Sequence, residues 1–309
     1  MRIAMVGSLA APLTADDRRL ADGLRAAGAD IVEVAWDGPD GVGSAEGASA
    51  PSSGQPAAAG LPEVVLGVVR ATPADPDERE RLLAWASAAA RDVPLLPAVE
   101  VLRWNTHRSY LLELEDRGAP VVPTAWLGRG DDVPLAELLE ARGWSDVELL
   151  PAVGPHGAAR VDGGAAGLTV EAGQHHLDAL LAHDDALVRL RPASLTRSGS
   201  WTVVLVDGEV SHAVRTLPAE GSGGPAAVGP VVATALDGPE LDAELARLAG
   251  WVLEATAVEG LTLAAVELVA DDSGIPQLVA LDAVAPELHL GVRPAAARRV
   301  AEALMRVAG

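Results

Sequence analysis

Cysteine, phenylalanine and lysine are all missing from this chain of 309 residues, and tyrosine occurs once. Without cysteine there are no disulfides and no thiolate metal sites. Without lysine, chemistry that needs an amine, whether a Schiff base or a phosphate-gripping ammonium, is excluded unless arginine substitutes. All 23 basic residues are arginine, which is bulkier, planar and permanently charged. With aromatics at 3%, the cores must be aliphatic, built from Leu, Val and Ala. The wealth of Ala, Gly and Arg is what a GC-rich genome produces. Long apolar runs are absent too, none reaching the ~20 residues a membrane helix needs.

Acid dominates what charge there is, giving a net −21. Binding to nucleic acid or an anionic membrane relies on basic surface, so neither is expected. At 49% hydrophobic and 22% charged, the composition is that of a globular protein of two or three domains. The start, Met1 to Gly7, reads as a first strand rather than a signal peptide, and a cytoplasmic location is expected.

Strand Arg2–Gly7, helix Asp16–Ala27 and strand Asp30–Val34 form a βαβ opening and hence the start of a parallel sheet. Leu20, Leu24 and Ala27 recur at helical spacing and Gly28 follows as a stop. Residues 38–60 hold almost no large apolar side chain and read as a mobile loop. A strand at 63–69 and a helix at 77–90 complete a first domain, 1–97. A second, 98–192, carries a helix from Arg103 to a stop at Gly118, a short strand at 121–122, a helix at 135–142 and strands at 147–150 and 186–190. The third, 193–309, has strands at 201–206 and 210–215 joined by an Asp207-Gly208 turn. Helix 242–256, strands 263–269 and 277–283 and a last helix, 294–307, follow. An α/β N-terminal part thus precedes an α+β C-terminal part.

Two stretches carry a resemblance. The first is Trp104-Asn105-Thr106-His107-Arg108-Ser109-Tyr110-Leu111, followed by Gly118-Ala119-Pro120-Val121-Val122-Pro123-Thr124. The second runs Gly199-Ser200-Trp201-Thr202 through Asp207-Gly208-Glu209-Val210-Ser211-His212-Ala213-Val214. In order and spacing they resemble the W-N-x-x-K-x-Y-L and G-E-W-S…D-G-x-x-S-H-A-V signatures of glutathione-synthetase-like ATP-grasp proteins, the subfamily that includes the D-cycloserine-type cyclising ligases. Weaker echoes lie at Trp36-Asp37, Arg70-Ala71-Thr72 and 280–286. The resemblance implies a three-part ATP-grasp fold, with an N-terminal parallel-sheet domain, a small central domain and a C-terminal antiparallel-sheet domain. It also implies ATP and Mg²⁺ as cofactors and activation of a carboxylate as an acyl phosphate for attack by an amine.

Matched residue by residue, the implied site is depleted. Arg108 stands for one phosphate-binding lysine, Leu150 for the other, and Thr216 for a third. The family's arginine-x-aspartate pair corresponds to Ala265 and Glu267 and its last pair of acids to Ala280 and Asp282, so two of three magnesium-binding carboxylates remain, and the glutamate of E-P corresponds to Ala285. Glu267 and Asp282 remain as metal ligands or as an acid/base pair, with a structural pairing to Arg191 or Arg215 as the plainer alternative. Arg108, Arg191, His212 and Arg215 are the candidates for contacts to nucleotide or substrate. His289 is a candidate base, or else an exposed loop histidine. His176 and His183 are ~10 Å apart along a helix, too far for one zinc.

Three functions stay open: an accessory or small-ligand-binding protein that has lost efficient use of ATP, an ATP-independent enzyme in the old cleft using Glu267, Asp282 and His289, and an active ligase with Arg in place of Lys. The expected partners are a small molecule and a second subunit, either a copy of this chain or an active paralogue.

Overall fold

The computed structural model describes residues 1–38, 61–217, 232–236 and 243–309. The expected loop at 38–60, apart from Gly38, lies outside the described residues. Three sheets make up the architecture, as the expected mixture of α/β and α+β requires.

The first sheet joins β1 (Arg2–Gly7), β2 (Asp30–Ala35), β3 (Leu66–Val69) and β4 (Leu95–Leu96) in the order β2-β1-β3-β4, all parallel. Helix α1 (Ala15–Ala26) starts at a capping box in which Thr14 and Asp17 bond each other's main chain. Its Leu20 and Leu24 are fully buried with Ile3 and Met5. Asp75 caps α2 (Pro76–Ala89), and Pro76 sits in the first turn, where its missing N–H has no helical partner to lose.

The chain then enters two short helices, α3 (Val99–Asn105) and α4 (Tyr110–Asp116). The single helix expected from Arg103 to Gly118 is therefore broken at 106–109. There the Arg108 N–H turns out to the carbonyl of Ala152, 2.8 Å away, instead of continuing the helical ladder. The central sheet has the order β5-β8-β6-β7, from β5 (Thr124–Leu127), β6 (Val147–Pro151), β7 (Ala159–Val161) and β8 (Ala186–Leu190), all antiparallel. Helices α5 (Leu135–Arg142) and α6 (Val170–Leu181) cover it over an aliphatic core.

After α7 (Ser194–Ser198), the third sheet runs β11-β10-β9-β12-β13, again antiparallel. Its strands are β9 (Ser200–Val206), β10 (Glu209–Leu217), β11 (Val232–Leu236), β12 (Leu263–Ala270) and β13 (Pro276–Asp282). Asp207 and Gly208 both have positive φ, 54° and 77°, the twist a two-residue hairpin needs. Helix α8 (Ala243–Glu254) buries Leu245, Ala249 and Val252 on one face of this sheet. The last helix, α9 (Ala296–Ala308), buries Val300 and Leu304 against α1 and β1, so the first and third sheets share one core. Among the described residues no helix is long and apolar enough to cross a membrane.

Candidate functional site

The first motif acts on strand β13. Asn105, the chain's one asparagine, donates from Nδ2 to the Leu281 carbonyl at 2.8 Å and accepts the Ala283 N–H on Oδ1 at 2.7 Å. The hydroxyl of the one tyrosine, Tyr110, accepts the Leu281 N–H at 3.1 Å. Burial pushes that phenol up to about 12, so it stays protonated. This half-buried amide side chain, satisfied at both ends, takes the place of a neighbouring strand.

Arg108 faces the turn after β6. Its Nη1 donates to the carbonyls of Pro151, at 2.5 Å, and Gly154, at 2.8 Å. Gly154 has φ +72°, and a Cβ there would lie 2.1 Å from the Ala74 carbonyl oxygen. This turn is pressed so closely onto the first domain's 73–74 loop that only glycine fits.

Between the central and C-terminal sheets, Leu150 is packed into the apolar cluster of Tyr110, Leu187 and Val266. Beside it on the central sheet, Arg189 donates from Nε and Nη2 to one oxygen of Glu148, at 3.1 and 2.6 Å. Its Nη1 crosses to the Val279 carbonyl at 3.1 Å, tying β8 to β13. Burial pushes the Glu267 carboxyl above the usual range, against the opposing pull of Arg189. Asp282 is raised by burial as well, and its Oδ1 accepts the N–H groups of Val284 and Ala285, both at 3.0 Å. In the β12–β13 register Ala265 opposes Asp282 and Glu267 opposes Ala280, so the two carboxyls are diagonal neighbours on one face. Among the described residues no group of three or more His, Asp or Glu side chains is gathered for a metal, the His176 region included.

The other expected contacts scatter. His212 is buried and donates from Nε2 to the Leu288 carbonyl at 3.0 Å, leaving Nδ1 to accept from Ser211 Oγ at 3.1 Å. Burial lowers its pKa and keeps it neutral, so it holds the 285–292 segment. Arg191 lies 3.6 Å from Asp146. Arg215 donates to the Ser198 carbonyl and stacks over Trp201, on the sheet face opposite Glu267. The cation whose charge reaches Glu267 is thus Arg189, which lies outside both motifs.

His289 also departs from expectation. Its side chain is only 10% exposed and lies 3.5 Å from the Glu287 carboxylate. The backbone takes a φ of 49°, and Nε2 is buried without a hydrogen-bond partner. It lines a cavity of about 460 Å³ between α1 and the 285–292 segment, together with Asp16, Asp17, Arg19 and Arg70. Asp282 and Arg108 line a neighbouring one of about 260 Å³ with Asn105 and Tyr110, and Thr72 borders both. Glu267 lines neither, so the three acid/base candidates do not converge. Absent from the sequence reading was the buried Arg70–Asp17 pair at 2.6 Å, for which the Arg70-Ala71-Thr72 echo was the only signal.

The three sheets, with the cleft between the second and third, are those of the ATP-grasp fold, and the chain has that fold. Over 100% of both chains it is similar to the crystal structure of D-cycloserine synthetase DcsG, with a TM-score of 0.77 at 20% identity. The RimK domain ATP-grasp protein from Sphaerobacter thermophilus gives 0.64 at 20% identity, over 99% of this chain and 100% of that one. D-alanine–D-alanine ligase from Bacillus anthracis complexed with ATP gives 0.66 at 12%, over 100% and 97%. No protein-family model matches the sequence. No curated protein matches it either.

Proposed function

We propose that this chain is an ATP-grasp-fold protein that no longer uses ATP efficiently. It acts as a binding or accessory protein for a small molecule in a biosynthetic pathway of natural-product type. The observation that carries this reading is the commitment of Arg108 to the carbonyls of Pro151 and Gly154. With both Nη1 N–H groups held by main chain, Arg108 is fixed as a brace of the turn, and Nε and Nη2 alone are left to face a ligand.

The donor set fits magnesium nucleotide poorly. Leu150 offers no charge where the fold's second lysine is expected, and Glu148 places a carboxylate on the same strand. Asp282 spends an oxygen on its own turn. A charged hydrogen bond to phosphate contributes ~1.5–3 kcal/mol, so losing three would weaken binding by several powers of ten. Similarity to a D-cycloserine synthetase supports a small polar ligand, and the division at 1–97, 98–192 and 193–309 is proposed as its domain plan.

A crystal soaked in millimolar Mg²⁺ and a non-hydrolysable ATP analogue tests the reading. We expect no nucleotide density between the central and C-terminal sheets. An ordered triphosphate touching Arg108 would instead favour the active-ligase alternative.

A further inference from the structure

Helix α8 covers the third sheet with Leu245, Ala249 and Val252 and turns its opposite face outward. That face carries Arg247, Gly250, Trp251 and Glu254, which recur at the three- and four-residue spacing of one helical stripe. Arg247, Trp251 and Glu254 are exposed and Gly250 is half-buried. A methyl group added at Gly250 would meet nothing within 4 Å, so the backbone there is open to a neighbour. Trp251 is 37% exposed, and Ile275, in the turn between β12 and β13, is 56% exposed. With Pro120, Leu248 and Pro276 they border one depression of about 380 Å³. A second, of about 660 Å³, begins at Gly250, Leu253 and Glu254 near the helix's C-terminal end.

Exposed apolar side chains gathered in one place mark a docking surface, and tryptophan and arginine are the residues that anchor such surfaces. The charges on this face say what it fits. Among the described residues Glu254 makes no hydrogen bond or ion pair. Arg247 makes one hydrogen bond among them, from Nε to the Ala243 carbonyl of its own helix at 3.3 Å, which leaves both Nη groups for an outside acceptor. The two residues are seven apart, about two turns, so they lie along one line with Gly250 and Trp251 midway between them. A face with a cation at one end and an anion at the other is complementary to a copy of itself turned end over end. At a net charge of −21 two copies repel over most of their surface, and here the facing charges cancel.

We propose that the outer face of α8 is a twofold interface between two copies of this chain. The two helices run antiparallel about an axis midway between Gly250 and Trp251. Arg247 then meets the partner's Glu254, and by symmetry the same pair forms again at the other end. Trp251 comes over the partner's Gly250, whose missing side chain lets the helices approach to the ~8–10 Å of packed helices. None of these residues lines the cavity of Arg108 and Asp282, so the pairing stands whatever the cleft binds.

Sedimentation velocity of the full-length protein over a series of micromolar concentrations tests the proposal. The samples are wild type, Arg247→Glu, Glu254→Arg, the double variant carrying both changes, and Trp251→Ala. Wild type is expected to show a reversible monomer–dimer equilibrium. Each single reversal sets like charges against one another across the interface and should raise the dissociation constant about tenfold or more. The double variant restores the opposite charges with their places exchanged, and should return to within about threefold of wild type. Trp251→Ala should be monomeric throughout, with circular dichroism confirming that each variant is folded. A wild-type chain that stays monomeric up to the millimolar range overturns the proposal and leaves the face to a foreign partner. So does a dimer that neither reversal weakens, which places the interface elsewhere, or a double variant no tighter than the single ones.

Discussion

The guanidinium of Arg108 donates to the carbonyl oxygen of Gly154 at 2.8 Å, across the turn that follows the central strand β6. With the second bond to Pro151, this makes Arg108 a brace for the turn. Arg108→Ala is expected to destabilise the protein by ~1.5–3 kcal/mol, the range for hydrogen bonds to a charged group, and to speed amide exchange at 151–158. Urea unfolding with hydrogen-exchange mass spectrometry checks it. An unchanged midpoint would mean that the arginine is free for a ligand.

Asn105 and Tyr110 hold β13 from the side, and each substitution strands a different main-chain group. Tyr110→Phe leaves the Leu281 N–H without this acceptor and should cost ~1–3 kcal/mol. Asn105→Asp keeps the bond from the Ala283 N–H but sets a carboxylate oxygen against the Leu281 carbonyl. It should therefore be worse than Asn105→Ala at neutral pH and recover in acid, which thermal unfolding at pH 5 and pH 8 would reveal.

Burial raises both Glu267 and Asp282. A carboxyl raised in the folded state binds more protons there than in the unfolded chain, so stability falls as pH rises from the ordinary carboxylate value through the folded one. Glu267→Gln removes that ionisation and is expected to raise the melting temperature at pH 8 more than at pH 5. A drop at pH 8 would show instead that Arg189 holds the carboxylate ionised.

Asp17 has the opposite sign. Burial alone would push it up, but Arg70 and the Thr14 hydrogen bonds together hold it below the ordinary value. Its contribution is present above that ordinary value, near 4, and is lost as pH falls through the folded one. Breaking this buried pair with Asp17→Asn should cost ~3–5 kcal/mol, read from urea midpoints at pH 7, with the gap to wild type closing in strong acid.

Apolar runs rich in Val and Leu made the strands of the third sheet legible, along with the Asp207-Gly208 turn, because β9 and β12 are buried on both faces, one under α8 and the other in the core shared with the first sheet. Strands β4 and β7, of two and three residues, are too short to show a period. The break between α3 and α4 could not be read either, since it depends on Ala152, far along the chain. The motifs marked Asn105, Arg108 and Tyr110 but not what each touches. Arg189 escaped notice because its partner, Glu148, is 41 residues away on the neighbouring strand. His289 looked exposed because nothing local shows that Asp16 draws the 288–290 main chain beneath α1.

Isothermal calorimetry of the full chain with Mg-ATP, at nucleotide concentrations up to several millimolar, tests the central claim most directly. The expected result is no saturable heat and no shift in melting temperature. Saturable binding with micromolar affinity would contradict the account, because nucleotide would then be held without the charge that is missing at Leu150.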